Sequence, residues 1–408
     1  MRESAYGWVI VSITFLTLAL VLGSRFSLGM FLPYMPQDID ASIADISAAM
    51  AVSMIGAAIV QPLTGAMIDR LGGRFVLSLG LICAGLSLVG TSLATSQWQV
   101  VMFIGVGGAI AYAAASPVSA TSIVATWFKR RRGVALGITT SGTKLAMVIL
   151  PPIVAALIVW STWRTAMFWL GTAVLALIPA VLLLLKPAPG FAKPRPPTAN
   201  VEAAVPSVTG STLKQALAVR DFWLVAITLF ANGLIMNLVF IHLPNYVLRA
   251  GYDESLAALG LALLGGIGIL GTIATGTLSD WLGGRNVLLI MFGARGITAL
   301  FVVVAPGPES LIAFVVVFGL LGYGAIGVIG ALASELFGRK AIGAILGSAY
   351  VFNQLGGATG VFAGGASLAI TGDYGASIWL AILTTVGSFM CILLIRGGRR
   401  EPQVRLAP

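Results

Sequence analysis

Apolar residues run along this chain in long blocks, each near the ~20 residues that a helix needs to cross a ~30 Å hydrocarbon core, and short polar clusters separate the blocks. Twelve such blocks fall near 7–33, 44–68, 75–95, 98–126, 134–160, 164–185, 222–248, 255–279, 286–305, 309–334, 341–371 and 374–395. The first, Gly7 to Leu32, is too long for the apolar region of a signal peptide and has no small-residue cleavage site after it, so it reads as a membrane helix. The pattern predicts an all-α integral membrane protein with twelve transmembrane helices in two pseudo-symmetric six-helix halves.

One stretch breaks the rhythm. Pro187 to Ser211 carries six prolines among alanines and polar residues, the composition of a linker without a fold of its own. It divides the chain into an N-terminal six-helix half over 1–186, a cytoplasmic linker over 187–220 and a C-terminal six-helix half over 221–408. A short amphipathic helix over Leu213 to Val219 fits the end of the linker.

Composition sharpens this. Hydrophobic residues make up 58% and charged residues 9%, against roughly 25% charged in soluble chains, which excludes a soluble enzyme. The net charge of +10 does not point to nucleic acid, because the basic residues sit in short loops between spans. Placing the N-terminus and every even-numbered loop in the cytoplasm collects 19 of the 24 Lys and Arg residues there and leaves only Arg164 and Arg249 in the opposite loops. The expectation is a multi-pass protein of a bacterial-type plasma (inner) membrane with both termini cytoplasmic. Cys83 and Cys391 lie in apolar runs far apart, so neither a disulfide nor a metal site is encoded, and no cofactor loop is present.

A ten-residue element occurs twice. Gly65-Ala-Met-Ile-Asp69-Arg70-Leu-Gly72-Gly73-Arg74 follows the second span, and Gly276-Thr-Leu-Ser-Asp280-Trp-Leu-Gly283-Gly284-Arg285 follows the eighth, with six identical positions. Asp ends one helix, paired glycines allow a tight turn, and the Arg can meet carboxylates or helix ends across its half-bundle. This element resembles the loop signature of the major facilitator superfamily, and with the twelve spans the resemblance covers the whole chain. It implies the major facilitator fold, a mid-membrane substrate site between the halves and alternating access, with Asp69, Arg70, Gly73, Arg74, Asp280, Gly284 and Arg285 as gating or conformational residues. The bland reading of the same element is a stable turn unrelated to transport.

A narrower resemblance runs from the fourth span into the fifth: Gly107-Gly108-Ala-Ile-Ala-Tyr112, Pro117, then Trp127-Phe128-Lys129-Arg130-Arg131-Arg132-Gly133-Val-Ala-Leu-Gly137-Ile-Thr-Thr-Ser-Gly142. With the opening Tyr6-Gly7-Trp8, it is similar to the monocarboxylate transporter family and its bacterial relatives, the oxalate/formate antiporters. Two features depart from those families. The eighth span reads Gly265-Gly266-Ile-Gly268-Ile-Leu-Gly271-Thr272 where relatives carry an Asp and an Arg, and the eleventh carries Asn353 and Gln354 where oxalate/formate relatives carry a lysine. Met102 and Phe103 stand where proton-driven drug antiporters place an arginine, which argues against multidrug efflux.

Three cations lie inside spans, where charge is expensive and implies a partner, a wet cavity or snorkelling. Arg25, ~27 Å from the cytoplasmic start of the first span at 1.5 Å per residue, is either a contact for a substrate anion or an outer-gate residue. Lys144, ~16 Å into the fifth span, either contacts substrate or is held by backbone carbonyls or the hydroxyls of Thr140 and Ser141. Arg295, central in the ninth span, is either structural, neutralised by carbonyls or polar groups, or part of the pathway. The 14 acidic residues all fall in loops or at span ends. Buried cations without carboxylates suit an anionic substrate, which supplies the missing counter-charge. His242, the only histidine, is the candidate proton-linked group or an interfacial histidine bonded locally. Tyr112, Gln61, Asn237, Tyr323, Asn353 and Gln354 join Arg25 and Lys144 as candidate substrate-binding residues, with interhelical glue as the alternative for each.

The sequence therefore predicts a monomeric secondary active transporter of a small organic anion, a monocarboxylate, by proton symport or anion exchange, with membrane lipid as its surroundings. The alternative is a facilitator or exporter of a larger neutral or weakly acidic compound such as a vitamin or drug. Enzymatic function has no support, because one histidine and no mid-span acid cannot assemble a catalytic site.

Overall fold

The structure is a computed structural model and describes residues 5–128, 132–186, 211–305, 307–338 and 342–395. Long helices occupy the twelve apolar blocks: α1 Ala5–Phe31, α2 Ile43–Leu71, α3 Gly73–Ser92, α4 in the pieces Gln97–Val100, Val101–Gly107, Gly108–Ala114 and Pro117–Ala125, α5 Arg132–Trp160, and α6 in Trp163–Ala176 and Ile178–Leu184. The second set is α7 Arg220–Arg249, α8 Glu254–Leu282, α9 Gly284–Val304, α10 in Pro308–Gly322 and Ala325–Phe337, α11 Ile342–Thr371 and α12 Gly375–Leu394. Among the described residues, 11 of these helical stretches are long and apolar enough to cross a membrane. The remaining one, α11, has the length, 30 residues, but carries Asn353, Gln354 and a series of glycines. Most of the expected linker lies outside the described residues; its end forms the short helix Leu213–Leu217, capped by Thr212 and Gln215.

The breaks in α4 and α10 have different causes. In α4 a π-helical stretch over Val101–Gly107 comes first, and Pro117 then restarts the helix behind the cap Ser116, because proline cannot continue a helix. In α10 no proline is involved; the chain loosens over Tyr323 and Gly324.

The repeated element builds the same turn twice. Gly72 and Gly283 take φ of 86° and 81°, donate to the carbonyls of Ile68 and Ser279, and at once begin α3 and α9. Left-handed backbone is cheap only for glycine. The following glycines serve packing: a Cβ on Gly73 would strike Ile123, and one on Gly284 would crowd Leu332.

These turns, with the start of α1 and the end of α12, mark one face of the bundle, the basic face. Tyr34, Asp38, Asp253 and Glu254 mark the other, the acidic face. The halves meet at the acidic face. Gly29 of α1 lies against Ile241 of α7, and Gly365 of α11 against Ser47 and Ala44 of α2. Tyr34 donates to Glu254 Oε1 at 2.9 Å. The larger apolar core runs through the first half and takes in Leu234 to Val247 of α7 and Ala257 to Leu264 of α8 from the second. A smaller core, around Val287, Met291, Val328 and Leu332, belongs to the basic end of the second half alone. Toward the basic face, a Cβ added to Gly137, Gly276 or Gly347 would meet nothing within 4 Å.

Within the second half, α7 and α11 pack along a glycine seam. Gly356, Gly360 and Gly364, one turn apart, lie against Phe230, Leu234 and His242. Small residues at this spacing let two backbones approach closely, which is how helices associate where lipid removes the hydrophobic drive.

Candidate functional site

The two motifs of the narrower resemblance pack on each other. The Tyr6 ring lies 5.6 Å from that of Trp127, and the Trp8 ring 5.0 Å from that of Phe128. Gly7 sits against Phe128, whose ring would have to shift to admit a side chain there. The start of α1 is thereby fastened to the end of α4, the two helices that carry Arg25 and Tyr112. Lys129 to Arg131 of this motif lie outside the described residues.

Arg25 is half-buried, 20 residues into α1 and so ~30 Å from its basic end at 1.5 Å per residue. Its guanidinium lies 4.8 Å from the centroid of the Tyr112 ring, a cation–π contact. Tyr350 of α11 is within electrostatic range from the other half. Among the described residues Arg25 makes no hydrogen bond and no ion pair. A cation held by one aromatic face alone keeps its five N–H donors free for a ligand. Tyr350 was not among the residues expected from sequence, since a tyrosine in an apolar span carries no distinctive signal.

Next to Arg25, Phe26 begins an aromatic shelf. Its ring is 5.3 Å from Phe240 of α7, and Phe240 stacks at 5.5 Å on Tyr323, which sits in the break of α10. The Tyr323 hydroxyl reaches Met147 Sδ of α5 at 2.7 Å. The shelf thus runs from first half to second and back, closing the space between the halves toward the acidic face.

On the α5 side, Lys144 is half-buried and donates from Nζ to Thr272 Oγ1 of α8 at 2.7 Å. The Thr272 hydroxyl in turn donates to Gly268 O at 2.7 Å. The acceptor is therefore in the other half. Thr140 and Ser141, the local acceptors weighed from sequence, bond carbonyls of their own helix instead. Close passage of α5 and α8 depends on Gly265, which lies against Met147.

The remaining polar residues divide. Asn353 donates to Leu229 O of α7 at 3.0 Å, so its amide joins two helices, whereas Asn237 donates to Gly233 O of its own helix at 2.9 Å and lines the contact of Gly357 with Met54. Gln61 and Gln354 are half-buried, and their amides have no partner among the described residues. His242, 2% exposed, is closed into a network: Nε2 faces Val361 O at 2.8 Å, Nδ1 faces the Tyr374 hydroxyl at 3.0 Å, and Asn245 donates to that hydroxyl at 2.7 Å. A carbonyl only accepts, so Nε2 carries the hydrogen and Nδ1 accepts from Tyr374. Every position is then satisfied with the ring neutral.

Arg295 is 1% exposed, yet meets no carboxylate among the described residues. It donates to Asn232 Oδ1 at 3.0 Å, Leu321 O at 2.8 Å and Gly322 O at 2.6 Å. Those two carbonyls are freed by the break in α10, and the guanidinium supplies the donors that the interrupted helix lacks. In the repeated turns, Arg285 donates to the carbonyls of Ile392 and Leu393 at the end of α12, while Arg70 and Arg74 are exposed. The side chains of Asp69 and Asp280 are outside those described.

A sequence model of the Major Facilitator Superfamily matches residues 14–361. Among curated proteins, the chain is 27% identical over 383 residues to the uncharacterized MFS-type transporter YcxA of Bacillus subtilis (strain 168), covering 90% of each. It is 26% identical over 409 residues to monocarboxylate transporter 13 of Bos taurus (95% of this chain, 91% of the relative) and 27% identical over 420 residues to monocarboxylate transporter 11 of Homo sapiens (97% and 84%). Among solved structures, a bacterial homolog of the human lysosomal transporter Spinster, in an inward-facing and occupied conformation, aligns with a TM-score of 0.73 at 15% identity, over 96% of this chain and 97% of that one. The family and these relatives are transporters, not enzymes.

Proposed function

The chain belongs to the Major Facilitator Superfamily, and we propose that it carries a small organic anion, a monocarboxylate, between its two halves by alternating access. It is a multi-pass membrane transporter of small molecules; the anion and the mechanism are the proposal. The observation that carries it is Arg25: a half-buried guanidinium fixed over the Tyr112 ring with no acidic partner among the described residues. Such a cation costs free energy in a membrane until an anion neutralises it. Lys144, tied only to a hydroxyl, is the second cation, and the relatives named as monocarboxylate transporters support the same substrate class.

On this reading the basic face is cytoplasmic, both termini are cytoplasmic, and the structure is the inward-open state in a plasma (inner) membrane. The turns at Gly72–Gly73 and Gly283–Gly284 lie where the halves must come together when the acidic face opens. Charge balance favours anion exchange or symport with a proton carried by the substrate, because His242 is fully engaged in its network.

A second reading, a larger neutral or weakly acidic compound such as a vitamin or drug, is favoured by the shelf Phe26–Phe240–Tyr323, which offers a broad aromatic surface. Counterflow into proteoliposomes loaded with a panel of unlabelled small carboxylates separates the two. Exchange of a labelled carboxylate supports the anion reading, and its pH-gradient dependence tells symport from exchange. Movement of neutral heteroaromatics alone would support the second.

A further inference from the structure

Helices α2 and α11 face each other across the two halves, and two contacts fix their register. Gly365 of α11 lies against Ser47 of α2, and Gly357 against Met54. The helices run antiparallel, so Gln61, about two turns beyond Met54, stands level with Tyr350, about two turns before Gly357. Whole turns keep a residue on the same face, so Gln61 shares the α2 face of Ser47 and Met54, while Tyr350 and Gln354 share the α11 face of Gly357 and Gly365. The exposed side of α2, marked by Val52, Ile59 and Leu63, is the opposite one. The register of α2 on α4 follows from Gly56 against Ala109 and from the Thr64 hydroxyl, which donates to Ala113 O at 3.2 Å. Tyr112, under the Arg25 guanidinium, therefore falls at the level of Gln61 and Tyr350.

These residues form a ring of unused polar groups. Among the described residues, the side chains of Arg25, Tyr112, Gln61, Tyr350 and Gln354 have no hydrogen-bond partner. Tyr112 is 8% exposed and the other four are half-buried. Arg25 suits a carboxylate, which brings two oxygens. Around it stand two carboxamides and two phenols, each able both to donate and to accept. When the halves close and water leaves, a polar group left unpaired costs about 1–3 kcal/mol. An alkyl or aryl tail on the carboxylate offers these groups nothing, whereas a hydroxyl donates and accepts as they do. Gln354 stands one turn beyond Tyr350, ~6 Å nearer the acidic face at 1.5 Å per residue. The hydroxyls must therefore be spread along the molecule, not confined to the carbon next to the carboxylate.

We propose that this ring selects a polyhydroxylated monocarboxylate, a sugar acid, whose carboxylate lies on Arg25 and whose hydroxyls pair with Gln61, Gln354 and Tyr350. The inference rests on the anion reading of the same space and names which anion. One negative charge suffices, because Lys144 is already bonded to Thr272 and the ring holds no cation besides Arg25.

The test is isothermal titration of the full chain in detergent with gluconate, galactonate and mannonate, beside hexanoate, sorbitol and adipate. The best of the three sugar acids is expected to bind at least about tenfold tighter than hexanoate, which has the charge without hydroxyls, and than sorbitol, which has hydroxyls without the charge. Gln354→Leu should lower affinity for that sugar acid at least about fivefold more than affinity for hexanoate, a difference that a general loss of packing would not produce. Should that variant fail to fold, the wild-type ratios decide. Hexanoate binding as tightly as the best sugar acid, adipate binding tighter than both, or an unchanged ratio in folded Gln354→Leu would overturn the inference and leave the anion reading standing. Sorbitol binding as tightly as the sugar acid, or no binding by any carboxylate, would overturn the two together.

Discussion

Lys144 Nζ donates to Thr272 Oγ1 at 2.7 Å, joining α5 of one half to α8 of the other through partners 128 residues apart. The bond does two things at once: it ties the halves near mid-membrane, and it parks a cation on a neutral hydroxyl that an anion can replace. The roles separate by mutation. Lys144→Met removes charge and tie, and is expected to lower anion counterflow at least about tenfold, the worth of a hydrogen bond to a charged group. Thr272→Val removes only the tie and should change counterflow about threefold or less, because the ammonium remains available. Equal losses in the two variants would show that the tie, not the charge, matters.

A second tie between the halves lies at the acidic face, where Tyr34 donates to Glu254. Tyr34→Phe should shift the population toward the acidic-face-open state by about fivefold, as expected for one ordinary hydrogen bond. Double electron–electron resonance between labels on the two halves at that face would read it. Burial and the bond to Glu254 push the Tyr34 phenol above its ordinary value. An acid with a raised pKa in the folded protein keeps its proton there, so this tie is constant through neutral pH. Its contribution is lost only as pH rises beyond ~10, where the unfolded phenol ionises. Closure at the acidic face should therefore not respond to this group between pH 6 and pH 9, a range set well below that ~10.

The glycine seam gives a stability contrast. A Cβ on Gly360 would strike the backbone of Leu234, whereas one on Gly347 of the same helix would meet nothing within 4 Å. Gly360→Ala is expected to cost about 1–3 kcal/mol, since backbone cannot step aside as a side chain can. Gly347→Ala should be neutral or slightly stabilising through its better helix propensity. Thermal unfolding of both variants in detergent checks the difference.

Arg295 should be intolerant of change for folding. Replacing it by Met strips the donors from Leu321 O and Gly322 O at the break of α10. Buried carbonyls left unpaired cost about 1–3 kcal/mol each, so Arg295→Met should give a sharp loss of monodisperse protein in size-exclusion chromatography. Normal yield and melting would contradict the strut role.

Much of this architecture is written in local sequence. The block expected at 44–68 appears as Ile43–Leu71 and that at 222–248 as Arg220–Arg249, because span length follows from the hydrophobic thickness to be crossed. The repeated motif announces its turns, since a glycine at a left-handed position has few substitutes. Intramembrane cations also stand out by cost alone, so Arg25, Lys144 and Arg295 were visible as special positions. Their partners were not. Thr272 is one hydroxyl among many and pairs with Lys144 only through the tertiary arrangement. The acceptors of Arg295 are backbone carbonyls freed at a break that no proline marks. The electrostatic neighbour Tyr350 and the aromatic shelf likewise arise from how the halves meet.

The central claim rests on Arg25 as the unpaired cation that an anion completes. The most direct measurement is counterflow of a labelled monocarboxylate by wild type and Arg25→Gln in the same proteoliposomes, with reconstitution of folded protein verified for both. A fall of at least about tenfold in Arg25→Gln is expected, from loss of a charge-assisted contact in a low-dielectric site. Undiminished counterflow by Arg25→Gln would contradict the claim.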